Sequence, residues 1–327
     1  MRAIQLVSYG NPLDGLVFAE IPAPPAPGKG EVLIDMEFAP VNPSDFLVAL
    51  GVYTKKPELP SVIGGEGVGV VRQLGEGVDN VKVGDRVLIS YSTFTWAQQI
   101  VARAEDVIVA PPDIDVQQAA MLNINPPTAA LLLSEYVDLQ PGDWVVQNAA
   151  NSGVGRAVIA FAKARGLKTI NIVRRQELVQ ELKKSGGDVV LLASETVVAD
   201  AKNAAQGGKI RLGLDGVGGQ ATGILCDILS PGGHIVAYSA MSQKPMSIGS
   251  ISLIFNKVTL DGFFMYFPEH LPKVQSAIVK AIGLLQSKKL NVPIAATYQL
   301  TEIKTAVEHA LRGGKVLLDM RKISASK

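Results

Sequence analysis

The chain of 327 residues contains one cysteine, Cys226, and only three histidines, His234, His270 and His309. A lone cysteine excludes an intrachain disulfide framework and any zinc site built on several cysteines, and it fits a reducing compartment. Cys226 lies in ATGILCDIL and reads as a core residue. The histidines fall in unrelated stretches and read as strand or surface residues, so no metal is expected. Net charge is scarce as well. Lysine plus arginine number 31 against 30 for aspartate plus glutamate, which leaves no overall drive toward nucleic acid or an acidic membrane surface. No apolar run reaches the roughly 18 residues a membrane-spanning helix needs. MRAIQLVSYG has one positive charge and then reads as a short strand, without the apolar region or cleavage site of a signal peptide. A cytoplasmic protein with neither nucleic acid nor membrane as partner is therefore expected.

What the chain does have is a globular composition, 47% hydrophobic and 19% charged, enough for one large domain or two ordinary ones. Residues 1–120 are rich in glycine and proline and carry short alternating segments, with Val32, Ile34, Met36 and Phe38 on one face of EVLIDMEFA. Beyond APPDID the pattern changes. WVVQN, TINIV, VVLLA, LGLDGV, HIVAYS and VTLDGFF alternate with helix-length stretches, the βαβ signature of a parallel sheet. From 267 the character is mixed again, with helices in PKVQSAIVKAIGLLQ and EIKTAVEHAL and a closing strand in KVLLDMR. The expected division is a β-rich domain of residues 1–120 and 267–327 around a doubly wound α/β domain of residues 121–266.

The stretch QNAANSGVG stands where such a sheet would bind a dinucleotide. The loop after the first strand must turn tightly, let backbone approach a pyrophosphate, and start a helix whose N–H groups hold the anion. PGDWVVQN supplies the turn and strand. GVGRAVIAFAKARG supplies the helix, with Val154, Ala157, Val158, Phe161 and Ala162 on one face and Gly166 as its stop. Against G-x-G-x-x-G the three positions are Asn148, Ala150 and Gly153, so only the helix-packing glycine is expected to survive. Asn tolerates left-handed angles and Ala is the smallest residue with a Cβ, so both replacements are bearable. A bare turn with no ligand would give the same letters. About 20 residues on, where an NAD enzyme places an acid on the ribose, TINIVRRQE offers Arg174 and Arg175 instead. Guanidinium groups suit a 2′-phosphate, which predicts NADPH; an exposed arginine pair is the plain alternative. The loops LDGVGG, PGGHIVAYSAMS and DGFFMYF follow later strands, where ligands of open parallel sheets lie.

This order of parts resembles the medium-chain dehydrogenase/reductase superfamily over essentially the whole chain, which implies a GroES-like catalytic domain and a Rossmann domain. Asn42-Pro43-Ser44-Asp45 and Gly64-Gly65-Glu66 stand at motifs where the zinc branch carries ligands, which implies the zincless branch. NPPTAALLLSEYVDLQPGDWVVQNAANSGVG followed by NIVRR resembles the trans-2-enoyl thioester reductases, and quinone oxidoreductases share the general layout. That resemblance implies Tyr53 as catalytic tyrosine and Asn125 near the cofactor. It places Asn151, Ser152, Gly153 and Val154 at the pyrophosphate, and Arg174, Arg175 and Gln176 at the adenosine phosphate. It further implies that Tyr238, Ser239, Ala240, Met241 and Phe263, Phe264, Met265 form two loops around the nicotinamide, and that Lys315 returns to the cofactor. The family often has Gly-Phe-Trp where this chain has Gly262-Phe263-Phe264, which alters a wall of the acyl site. No mitochondrial transit peptide is evident, which suggests a bacterial protein or a mature form in an organelle matrix.

A 2-enoyl thioester is a Michael acceptor and needs a proton at the α carbon after reduction at the β carbon. An ordinary phenol, with pKa about 10, stays protonated at neutral pH and suits that task. Lys55 and Lys56 stand where they can steer an anionic CoA or acyl carrier, or simply face water. Glu66 reads as a structural acceptor. Asn42 and Asp45 can orient the Tyr53 loop or a substrate, and spacing does not choose between these. The expected activity is NADPH-dependent enoyl-CoA or enoyl-ACP reduction by a homodimer. Quinone or activated-alkene reduction, and a non-catalytic NADPH-binding protein, are the alternatives.

Overall fold

The structure, a computed structural model, describes residues 1–89 and 93–321. The chain divides into two compact units, Met1–Ile124 with Val292–Lys327, and Asn125–Asn291. The first division falls close to the expected one. The second lies 25 residues further on, after Asn291 instead of 266. The cause is the helix Leu271–Gln286, which buries Ala277, Ile278, Ala281, Ile282 and Leu284 and packs on the helix Asn125–Leu132 of the same unit. Its amphipathic pattern announces a buried face and not the partner that covers it.

The first unit is β-rich. Its longest strand, Glu31–Val41, pairs with Gly67–Leu74, Gln99–Arg103 and Lys315–Asp319. Val32, Ile34, Met36 and Phe38 alternate inward as the period of two requires, and all are buried. The closing segment joins through Lys315–Asp319, which pairs with Ile294–Gln299 on its other side. A second sheet of three strands contains Arg2–Leu6 between Leu16–Glu20 and Ser61–Val62.

The second unit holds six parallel strands: β1 (Trp144–Gln147), β2 (Lys168–Val173), β3 (Val189–Leu192), β4 (Ile210–Asp215), β5 (His234–Ala237) and β6 (Thr259–Gly262). Its helices are α1 (Asn125–Leu132), α2 (Gly153–Ala164), α3 (Glu177–Lys184), α4 (Val197–Ala204), α5 (Gln220–Ile228), α6 (Ser250–Phe255) and α7 (Leu271–Gln286). The strand order is β3-β2-β1-β4-β5-β6, the order of a dinucleotide-binding sheet, whose ligand crevice opens where the order reverses beside β1. Helix α2 is buried on more than the one face its periodicity predicts, since Gly155, Arg156, Ile159 and Ala160 are covered as well. Gly166 ends it with a left-handed φ of 70°.

Candidate active site

The loop after β1 solves its tight turn differently from the expectation. Ala149, not Asn148, takes the left-handed conformation, with φ 47°. Asn148 instead works through its side chain: Nδ2 donates to Asp215 Oδ1 at 2.7 Å, and Gly216 N donates to Asn148 Oδ1 at 2.8 Å. Asp215 also accepts from Val217 N, Gly218 N and Thr222 Oγ1. The loops after β1 and β4, on the two sides of the switch point, are thereby fixed to each other.

The packing role expected of Gly153 divides between two glycines. A Cβ on Gly155 would stand 2.5 Å from Ala150 O, so this glycine lets α2 close on the loop. A Cβ on Gly153 would lie 2.7 Å from Asn125 Nδ2, so Gly153 admits the Asn125 side chain to the helix start. Ser152 caps α2, accepting from Gly155 N at 3.1 Å. The Asn151 carbonyl accepts from Arg156 Nε at 3.1 Å, and the same guanidinium reaches Glu181 Oε1 on α3 at 2.5 Å. Val154 is buried. Arg156 is a positioning residue the motif did not announce, although one arginine inside the apolar run GVGRAVIAF was its signal.

Arg174, Arg175 and Gln176 are all exposed in the segment between β2 and α3. Arg175 Nε lies 3.5 Å from Glu177 Oε1, whereas Arg174 has no ion pair among the described residues. The loop after β5 is laced to the loop after β4, with Tyr238 N, Met241 N and Ser242 N donating to the carbonyls of Asp215, Gly216 and Val217. Ala240 and Met241 are exposed and Ser239 half-buried. The Tyr238 hydroxyl is buried beside Ser152, and burial pushes the phenol well above its ordinary pKa. After β6, Phe263 and Met265 turn inward: Phe263 stacks on His270 with centroids 4.8 Å apart, and Thr128 Oγ1 lies 3.8 Å from Met265 Sδ. Phe264 is half-buried, and its carbonyl is bonded by His270 Nδ1 at 2.8 Å. His234 and His270, far apart in sequence, both lie within 6.4 Å of the Tyr136 ring, centroid to centroid. They belong to an aromatic cluster beneath this loop, which sequence spacing did not reveal.

In the β-rich unit Tyr53 is half-buried against the core, and its N–H donates to Leu47 O at 3.2 Å. Lys55 Nζ sits over the Phe94 ring at 4.4 Å and Lys56 Nζ over the Tyr9 ring at 4.8 Å, so both cations are engaged on aromatic faces. Burial pushes Lys55 below its ordinary pKa. Lys315 has its ammonium on Asn42 Oδ1 at 2.6 Å. Asn42 Nδ2 donates to Glu66 Oε1 at 2.9 Å, and Glu66 Oε2 accepts from Asn123 N and Ile124 N at 2.9 and 3.0 Å. Asp45 Oδ2 accepts from Asn42 N at 2.7 Å. Glu66 is 0% exposed and Asn42 and Asp45 2% each. Burial raises Asp45 to about 7, with the Glu66 charge adding to the rise and Lys315 opposing it. Burial also raises Glu66, against Lys315 and three hydrogen bonds, and lowers Lys315 against the two carboxylates.

The family model described as alcohol dehydrogenase GroES-like domain matches residues 28–111, and that described as zinc-binding dehydrogenase matches residues 153–280. The mitochondrial enoyl-[acyl-carrier-protein] reductase of Dictyostelium discoideum is 34% identical, covering 98% of this chain and 95% of that protein. The chain belongs to the medium-chain dehydrogenase/reductase family, in its enoyl reductase branch. Among solved structures, Etr1p of Candida tropicalis with NADP and crotonyl-CoA has a TM-score of 0.87 at 26% identity, covering 97% of this chain and 99% of that one. Quinone oxidoreductase of Escherichia coli complexed with NADPH has a TM-score of 0.87 at 25% identity, covering 98% and 100%.

Within this enoyl reductase branch the GroES-like and Rossmann expectations are borne out. The structure brings Asn125, Ser152 and Gly153 together at the start of α2. Among the described residues no group of three or more His, Cys, Asp or Glu is placed to hold a metal ion; Asn42, Asp45 and Glu66 instead face the Lys315 ammonium.

Proposed function

We propose that the protein is an NADPH-dependent 2-enoyl thioester reductase, acting on the carbon–carbon double bond of acyl-CoA or acyl-carrier-protein substrates. The full-length likeness to a protein named enoyl-[acyl-carrier-protein] reductase carries this reading. The residues present fit NADPH. Gly153 and Gly155 leave no room for side chains at the start of α2, and the buried Tyr238 hydroxyl faces the same loop. Arg174 and Arg175 stand at the end of β2 with no acid before Glu177. Asn151, Ser152, Gly153 and Val154 would receive the pyrophosphate, and Arg174, Arg175 and Gln176 the adenosine phosphate. Asn125, the segments 238–241 and 263–265, and Lys315 would serve the nicotinamide half.

A nicotinamide held there would supply the hydride that the β carbon of the enoyl thioester accepts. Negative charge then develops on the thioester oxygen, and a proton must reach the α carbon. Tyr53 is the residue we assign to hold and deliver that proton, since a phenol remains protonated at neutral pH. The TM-score of 0.87 to a quinone oxidoreductase favours one second reading, a quinone or activated-alkene acceptor at the same cofactor site.

The relatives carry mitochondrial names, and among the described residues no helix is long and apolar enough to cross a membrane. We place the protein in the organelle matrix or the bacterial cytoplasm, as a homodimer. NADPH oxidation measured side by side with crotonyl-CoA, a longer 2-enoyl-CoA and a naphthoquinone tests the acceptor. Efficient turnover of the thioesters and a kcat lowered about 100-fold or more in Tyr53→Phe are expected, within the span of general acid catalysis. Turnover of the quinone alone would overturn the thioester assignment, and an indifferent Tyr53→Phe the proton donor.

A further inference from the structure

The β-rich unit gathers two buried carboxylates and the ammonium of half-buried Lys315 around one amide, at a cost that only good geometry offsets. Asn42 is the hub. Its Oδ1 accepts from Lys315, its Nδ2 donates to Glu66, and its backbone N–H donates to Asp45. It also begins the helix Pro43–Leu50, where Asp45 at the third helical position closes half of a capping box. At the other end, Gly51 takes φ 75°, and Val52 N and Tyr53 N both donate to Leu47 O. A single helix of eight residues therefore runs from the buried charges to the segment that carries Tyr53. Glu66 has a second attachment through Asn123 N and Ile124 N, and Ile124 directly precedes Asn125 in the chain.

We propose that Glu66, with Lys315 as its counter-ion, is a positioning residue for the reduction: its carboxylate, anchored on the backbone of Asn123 and Ile124, fixes the helix that delivers Tyr53. A core needing only stability would be served as well by apolar side chains of similar volume. Three directional bonds on one carboxylate instead set two chain segments at a defined height and angle. Glu66 itself donates no proton, and it acts through Tyr53.

The kinetic arm rests on the proposed enoyl reduction, and the exchange arm does not. Glu66→Gln, Lys315→Met and the double variant are compared with the parent protein. Glutamine must turn an amide N–H toward one of three donors, so a bond is lost while the shape is kept. In Glu66→Gln, amide hydrogen exchange over residues 43–53 is expected to rise about 10-fold. Its kcat with crotonyl-CoA is expected to fall about 10- to 100-fold, with KM changed less than about two-fold. In a Tyr53→Phe background the same substitution should cost nothing further, because its effect passes through the phenol. The double variant leaves neither Glu66 nor Lys315 as an unmatched charge. It is expected to regain the thermal stability of the parent while exchange over residues 43–53 stays raised, which keeps the test open if either single variant fails to fold. Unchanged exchange over 43–53, a kcat loss that multiplies with that of Tyr53→Phe, or a double variant as active as the parent would each overturn the proposal. A parent protein inert toward crotonyl-CoA would sink the enoyl reading and leave the exchange result to decide the positioning.

Discussion

At the scale of single residues, Asp45 shows how burial writes itself into pH dependence. Its carboxyl is raised from 3.8 to about 7, mainly by desolvation. A raised acid binds its proton more tightly when folded, so between these values the native state is protonated and the unfolded chain is not. Stability therefore falls as pH rises from about 4 to 7, by about 1.4 kcal/mol per pH unit for one such group, and levels off above. Glu66, raised by the same cause, adds a slope of the same sign. Asp45→Asn keeps an oxygen for the Asn42 N–H and removes the titration. Urea unfolding at pH 5, 6 and 7 should show a shallower loss of stability in the variant. A parent protein whose stability rises over that interval would contradict the assigned direction.

At the scale of elements, the strand–helix alternation was legible because each parallel strand is a short apolar run followed by a helix-length segment, and β1 to β6 all fall where those runs stand. The covered face of each element was legible; the element that covers it was not, and so Leu271–Gln286 lies in the other unit. The loop after β1 was legible as a tight turn into a helix and misread in detail. Asn148 looks like a turn residue from spacing alone. Its true partner, Asp215, is 67 residues away and on another strand. Arg156 was missed for the same reason, since Glu181 becomes its neighbour only when β2 pairs with β1. Arg174 and Arg175 needed no such information, because the proposed phosphate clamp requires only their exposure at a strand end. Each charge-assisted bond to a 2′-phosphate contributes about 1.5–3 kcal/mol, so Arg174→Ser should weaken NADPH about 10- to 100-fold and leave NADH nearly unchanged. Arg175→Ser should cost less, because Glu177 already shares that guanidinium. Fluorescence titration with both nucleotides decides it. Equal losses for NADPH and NADH would remove the phosphate-clamp role.

At the scale of the whole molecule, near-neutral net charge gives neither attraction to polyanions nor strong self-repulsion. Association is then set by local surface, and one region of the nucleotide-binding unit is poorly suited to water. β6 is the last strand of its sheet, paired on one side to β5 and exposed at all four residues. Nearby in sequence, α6 exposes Ile251, Ile254 and Phe255 at 72%, 69% and 78%. An open strand edge next to apolar side chains invites aggregation unless a partner covers it, and a second copy supplies the same edge and the same side chains by two-fold symmetry. The proposed homodimer would continue the six-stranded sheet through β6. Ile254→Asp with Phe255→Asp would place four buried charges across such an interface without touching the nucleotide loops. The variant is expected to sediment as a monomer where the parent sediments as a dimer, while still binding NADPH. If the parent is itself monomeric at micromolar concentration, or the variant remains dimeric, the edge of β6 is not the contact.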